Sequence, residues 1–159
     1  MTIQVGDNMP EGTLQVFNDG PEAISSSELF AGKKVVLFAV PGAFTPTCSA
    51  KHLPGFVDHY QALKDKGVDT VACFSVNDAF VMGAWGKSQS VPPAITMLAD
   101  GNGSYTKALG LEMDATGFGM GMRSKRFAIV AVDGKVTHLF VEQPGEFRVS
   151  SAEAVLAAI

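Results

Sequence analysis

The sequence predicts an α/β protein with a mixed central sheet covered by helices on both faces. Three observations carry that prediction. Two unbroken runs rich in apolar and β-branched residues, 34–40 (KVVLFAV) and 69–76, have the composition of strands buried on both faces. Helically spaced apolar residues separate these runs, and strands joined through a helix pair in parallel. Asp133-Gly134 stands between two later runs and marks a hairpin, which requires an antiparallel pair.

The elements follow in order. The first twenty residues are rich in Gly, Asn, Asp and Pro, with one alternating run, Thr13 to Phe17, that reads as a short strand. Ser25, followed three residues later by Glu28, is a capping box for a short helix ending near Gly32. The strand over 34–40 stops at Pro41-Gly42. Leu53, Phe56, Val57, Tyr60 and Leu63 then recur at helical spacing, and Gly67 closes that helix. After the strand over 69–76, Asn77-Asp78 caps a helix running toward Ser90. Pro92-Pro93 breaks the chain before a strand from Ile95 to Ala99, and a turn at 100–103 leads to a short helix from Tyr105 to Leu109. Arg126–Val132 and Val136–Val141 form the hairpin strands, and Ser151 to Ile159 is a final Ala-rich helix. No repeat, linker or shift in composition divides the chain, so residues 1–159 are expected to fold as one domain. A thioredoxin-like arrangement fits this order, and other α/β sandwiches stay open.

Composition narrows the function. Apolar residues make up 47% of the chain and charged ones 18%, which excludes a disordered protein. Twelve basic against 16 acidic residues leave a net charge of −4, so neither nucleic acid nor an anionic membrane is an expected partner. No apolar run approaches the roughly 18 residues of a membrane span. The opening MTIQVGDNMPEG has neither signal-peptide nor transit-peptide character, and a cytoplasmic location is expected. Two cysteines make no disulfide framework, so each is read for chemistry.

Cys48 lies in Pro41-Gly42-Ala43-Phe44-Thr45-Pro46-Thr47-Cys48, between the first buried strand and its helix. Thr45 followed by Pro46 is a helix start, with a hydroxyl at the N-cap and proline at the first helical position. Cys48 then falls in the first turn, where free N–H groups and the positive end of the helix dipole favour a thiolate over a thiol. The alternative, a small buried hydrophobe, suits a cysteine in mid-element better than one between a proline break and polar neighbours. Pro54 cannot donate to the Ala50 carbonyl and crowds it, which predicts a kink there. The segment holding Cys48 would then be able to unwind without melting the helix body, unless the kink merely follows the curvature of the sheet.

PGAFTPTCS, with Thr45 and Cys48 spaced T-x-x-C, resembles the peroxidatic motif of the peroxiredoxins. Together PGAFTPTCSAKHLPGF, VACFSVNDAFVMGAW and RSKRFAIV are similar to the type II, or peroxiredoxin-5-like, branch, and the resemblance spans nearly the whole chain. It implies a thioredoxin-fold thiol peroxidase acting on hydrogen peroxide and alkyl hydroperoxides, with Cys48 as the attacking thiolate. Pro41, Thr45 and Arg126 are then expected at the peroxide. No cofactor is expected. The chemistry agrees: displacement at an O–O bond needs a thiolate, donors that align the peroxide, and positive charge where the leaving oxygen becomes negative. Arg126 opens a strand, and alternation points it away from Phe127.

Cys73, the only other cysteine, sits within a buried run and is expected to be inert, although it is the one internal candidate for a resolving role. The animal members' resolving cysteine near the C-terminus has no counterpart in Glu146 to Ser151. A one-cysteine cycle with an external thiol follows, glutaredoxin with glutathione favoured over thioredoxin. The alternative is a peroxide-sensing relay that passes oxidation to a partner protein.

The other signals are weaker. His52 and His59 follow Cys48 at i+4 and i+11, but only Cys48 and His52 share a face closely, too few ligands for a metal site. His52 is expected at the rim of the active turn. Gly117–Gly121 fails the dinucleotide glycine pattern and reads as a flexible turn. Arg123 and Lys125 suit a solvated strand edge. Met113, Met120, Met122 and Phe118 form an adaptable apolar patch, which could contribute to the homodimer that the resemblance implies.

Overall fold

The computed structural model describes residues 1–159. A seven-stranded sheet runs through it: β1 (Thr13–Phe17), β2 (Pro21–Ser25), β3 (Lys34–Ala39), β4 (Thr70–Ser75), β5 (Ile95–Ala99), β8 (Phe127–Val132) and β9 (Lys135–Val141). Its spatial order is β2-β1-β5-β4-β3-β8-β9. β3, β4 and β5 are parallel, because helices carry the chain between them. β8 runs antiparallel to β3 and to β9, and β1 antiparallel to β2 and β5, so the sheet is mixed as expected.

Alternation along the central strands splits the core into two layers. Val36, Phe38, Val40 and Cys73 face one side, packed with Leu53, Phe56, Met82, Trp85 and Val155. Val35, Leu37, Ala39 and Phe74 face the other, with Leu29, Tyr105, Leu109 and Phe127. The first layer is covered by α2 (Leu53–Asp58), α3 (Tyr60–Asp65), α4 (Ala79–Ser88) and α6 (Ala152–Ala158). α1 (Ser26–Phe30) and α5 (Ser104–Leu109) lie over the second. Each fully buried Leu, Val or Phe contributes about 1.5–3 kcal/mol, which makes these layers the main stabilising term.

Local signals set several boundaries. Ser25 and Glu28 form the expected capping box, and Asp78 caps α4 by accepting from the Val81 N–H at 2.8 Å. Asn77 does not share that duty. Its side-chain oxygen accepts instead from the Ala43 N–H at 3.0 Å and the Ser75 hydroxyl at 2.6 Å, tying the end of β4 to the loop after β3.

Three strands were not anticipated. β2 pairs with β1 at the sheet edge, and β6 (Glu112–Asp114) with β7 (Met122–Ser124) forms a separate two-stranded ribbon. The helix after Cys48 also differs from the expected single kink at Pro54. Residues 48–52 form one π-helical turn in which the Leu53 N–H donates to the Cys48 carbonyl, and a second break at His59 divides α2 from α3. The turn ahead of Pro54 thus widens by one residue, in line with a proline that cannot donate and crowds the carbonyl before it.

Candidate active site

β3 and β8 bring the site together. Their register pairs Ala39 with Phe127, which sets Arg126, the residue just before β8, level with the point where β3 gives way to Pro41. The chain then turns through a loop in which Phe44 holds a left-handed backbone with φ of 63°, a costly conformation for a bulky residue. Its exposed ring tilts toward Trp85, the centroids 6.5 Å apart. Gly42 sits in a tight place: a Cβ there would lie 3.1 Å from Met120 Cε and 3.2 Å from Thr45 Cγ2, so these side chains would have to give by a few tenths of an ångström. Helical residues begin at Pro46, which places Cys48 third, in the first turn as expected.

Cys48 is fully buried, and Arg126 Nη2 donates to its Sγ at 3.2 Å. The Cys48 N–H meets no carbonyl of the chain and stays available as a donor at the helix start. A thiolate in this place would face a non-titrating guanidinium and the positive end of a helix, both of which favour negative sulfur.

Thr45 departs from the expected arrangement. Its hydroxyl does not cap the helix but donates to the Gly42 carbonyl at 2.6 Å, which fixes the rotor and leaves oxygen lone pairs free to accept. Pro41 is half-buried at the bend that ends β3.

His52 is the larger correction. Rather than standing at a rim, it is 0% exposed and enclosed by the rings of Phe38, Phe56 and Phe147. Arg126 Nη1 lies 2.9 Å from its Nδ1, and its Nε2 lies 2.9 Å from the Ser150 carbonyl. Because arginine can only donate and a carbonyl can only accept, the ring must be neutral with its proton on Nε2. Burial, followed by the Arg126 charge, lowers its pKa from 6.5 to about 3, so the ring stays neutral. One guanidinium thus spans sulfur and imidazole, with Phe147 5.7 Å from its central carbon.

Arg123 is half-buried rather than solvated. It donates to the Met120 carbonyl at 2.9 Å and the Val76 carbonyl at 3.0 Å, and so pins the loop beside Gly42. Cys73 lies fully buried in the same core layer as Cys48. Burial, with a further contribution from Cys48, pushes its thiol well above the ordinary range and leaves it a poor nucleophile. Trp85 Nε1 donates to Ser49 Oγ at 3.0 Å, joining α4 to the π-helical turn.

Comparison with known proteins agrees with this arrangement. The Redoxin family model matches residues 4–156. Peroxiredoxin-2B of Arabidopsis thaliana is 54% identical over 159 residues, covering 99% of this chain and 98% of that protein. A crystal structure of reduced Prx3 from Vibrio vulnificus in complex with H2O2 is 56% identical, with a TM-score of 0.94 and 99% of each chain covered. Peroxiredoxin 5 from Alvinella pompejana, at 34% identity, superposes with a TM-score of 0.86 over 98% of this chain and 97% of its own. The fold is thioredoxin-like, of the redoxin kind. The chain belongs to the type II peroxiredoxins, and it is a thiol peroxidase that reduces peroxides.

Proposed function

We propose that Cys48 is the peroxidatic residue of a one-cysteine cycle. The observation that carries this reading is the hydrogen bond from Arg126 Nη2 to Cys48 Sγ at the start of a helix. In the first step the Cys48 thiolate attacks one peroxide oxygen, an S–O bond forms and the O–O bond breaks. The departing oxygen leaves as alkoxide or hydroxide and takes a proton to give alcohol or water. Sulfur loses two electrons and becomes a sulfenic acid, Cys48–SOH. Arg126 holds positive charge beside both sulfur and leaving oxygen, while the Cys48 N–H and Thr45 hydroxyl align the peroxide and Pro41 shapes its entrance.

An external thiol then condenses with the sulfenic acid, releasing water and forming a mixed disulfide. A second thiol releases Cys48 and carries away the disulfide. Burial of Cys73 and the absence of cysteine between Glu146 and Ile159 support this route, and glutathione with glutaredoxin is the favoured reductant over thioredoxin. The protein acts in the cytoplasm on hydrogen peroxide and alkyl hydroperoxides; no helix is long and apolar enough to cross a membrane. It works as a non-covalent homodimer, to which the exposed Phe118 and Met122 contribute.

The test is peroxide consumption with glutathione plus glutaredoxin against thioredoxin plus its reductase. The glutathione system should support the faster turnover, Cys48→Ser should abolish it, and Cys73→Ser should keep most of it. Turnover retained in the Cys48 variant would overturn the assignment.

A further inference from the structure

Glu142 is a buried carboxylate, 6% exposed, that no step above uses. Its N–H donates to the Arg126 carbonyl at 2.9 Å, which carries the β8–β9 ladder one residue beyond Phe127 and Val141. The carboxylate makes no ion pair with Arg126. Instead it accepts from the Arg148 N–H at 2.9 Å, the Val149 and Ser150 N–H groups at 2.8 Å, and the Ser150 hydroxyl at 2.7 Å. Three successive amides converging on one carboxylate form a nest, which fixes a segment that has no regular structure of its own. The next group in line, the Ser150 carbonyl, is the partner of His52 Nε2.

We propose that Glu142 is a positioning residue for peroxide reduction, acting through the Ser150 carbonyl and His52 to hold Arg126 against Cys48. The proposal rests on the roles assigned above to Cys48 and Arg126. A neutral imidazole carries one proton, and the hydrogen bond at one nitrogen decides what the other can do. With the Ser150 carbonyl fixed, the proton belongs on Nε2 and the Nδ1 lone pair faces Arg126 Nη1. If that carbonyl drifts, the tautomer is no longer held, and a proton on Nδ1 would oppose a guanidinium donor. Arg126 would then lose the contact that aims Nη2 at sulfur. The charged groups facing His52 are Arg126 from β8 and Glu142 beyond β9, whereas Phe38, Phe56 and Phe147 are neutral.

A double-mutant cycle on the full chain separates this from a purely structural clamp. The readouts are the second-order rate with hydrogen peroxide and the pH profile of Cys48 alkylation. Glu142→Ala should slow the peroxide step by about tenfold and move alkylation to higher pH, as expected for a displaced catalytic group. Glu142→Gln, which keeps shape and one acceptor oxygen, should slow it by about threefold. In an Arg126→Gln background each change should shrink below about twofold. Equal losses in both backgrounds, or wild-type rate and profile in the single variants, would overturn the proposal. An Arg126→Gln variant indistinguishable from wild type would instead sink the role of Arg126 itself. Should the alanine variant fail to fold, the glutamine cycle decides alone. Nitrogen NMR of His52 supplies an independent reading: the Nε2–H tautomer in wild type and a mixture in Glu142→Gln. An unchanged tautomer in a slowed variant would overturn the route through His52.

Discussion

In the proposed cycle the buried sulfur of Cys48 carries negative charge and needs a neighbour whose own charge does not depend on pH, the part assigned to Arg126, whose Nη2 donates to Cys48 Sγ. Arg126→Gln should therefore slow the peroxide step by about a hundredfold and move Cys48 alkylation to higher pH, while leaving thermal unfolding nearly unchanged. Thr45→Val, which removes the hydroxyl at similar volume, should slow the same step by about tenfold. Stopped-flow rates with hydrogen peroxide check both. His52 gives a separate expectation with a definite sign. Its folded pKa is about 3, held down by burial and by Arg126, against 6.5 when unfolded. Between those values the unfolded chain takes up a proton that the folded chain refuses, so stability falls as pH falls, by up to about 1.4 kcal/mol per pH unit. Denaturant unfolding from pH 6.5 to 5, above the carboxylate range, should show a shallower slope in His52→Gln than in wild type. Parallel slopes would contradict it. Cys48 was legible in the sequence because a helix-start motif marks it, and Arg126 through the resemblance to the peroxiredoxins. His52 was not, since its partners are 74 and 98 residues away and no local pattern encodes either contact.

The π-helical turn over 48–52 carries both Cys48 and His52, so its anchoring governs the site at the level of the element. One side-chain hydrogen bond, Trp85 Nε1 to Ser49 Oγ, ties it to α4. Trp85 is fully buried, and Ser49→Ala would leave its indole N–H without an acceptor. That variant should lose about 1–3 kcal/mol of stability and show faster amide exchange across 48–53 than across β3 and β4. Unchanged unfolding and exchange would show that the contact has no weight. Composition revealed β3 and β4 through their unbroken β-branched and apolar runs, and the Pro92-Pro93 break set off β5. It did not reveal β2, which opens on exposed Pro21 and Glu22 and exists by pairing with β1. β6 and β7 escaped for a related reason, having only three residues each. The break near Pro54 was foreseeable from proline chemistry, but its form was not. Opening to a π turn depends on where Cys48 and Leu53 are held by packing.

At the scale of the molecule, the sheet is what makes one site from distant parts of the chain. Parallel pairing of β3 with β4 sets Cys73 beside Phe38 within the core, and antiparallel pairing of β3 with β8 delivers Arg126 to the loop holding Cys48. The same register therefore encloses one cysteine and equips the other. The crossover signal in the sequence implied the parallel pairing of β3 with β4, whereas the pairing of β3 with β8, the Glu142 nest and the aromatic enclosure of His52 emerge only in the folded sheet. The central claim is that Cys48 alone is oxidised and awaits an outside thiol. Mass spectrometry after one equivalent of peroxide tests it most directly. Gain of one oxygen at Cys48, trapped by dimedone and converted by added glutathione to a mixed disulfide, is the expected result. A loss of two hydrogens that maps to a Cys48–Cys73 peptide pair would contradict it.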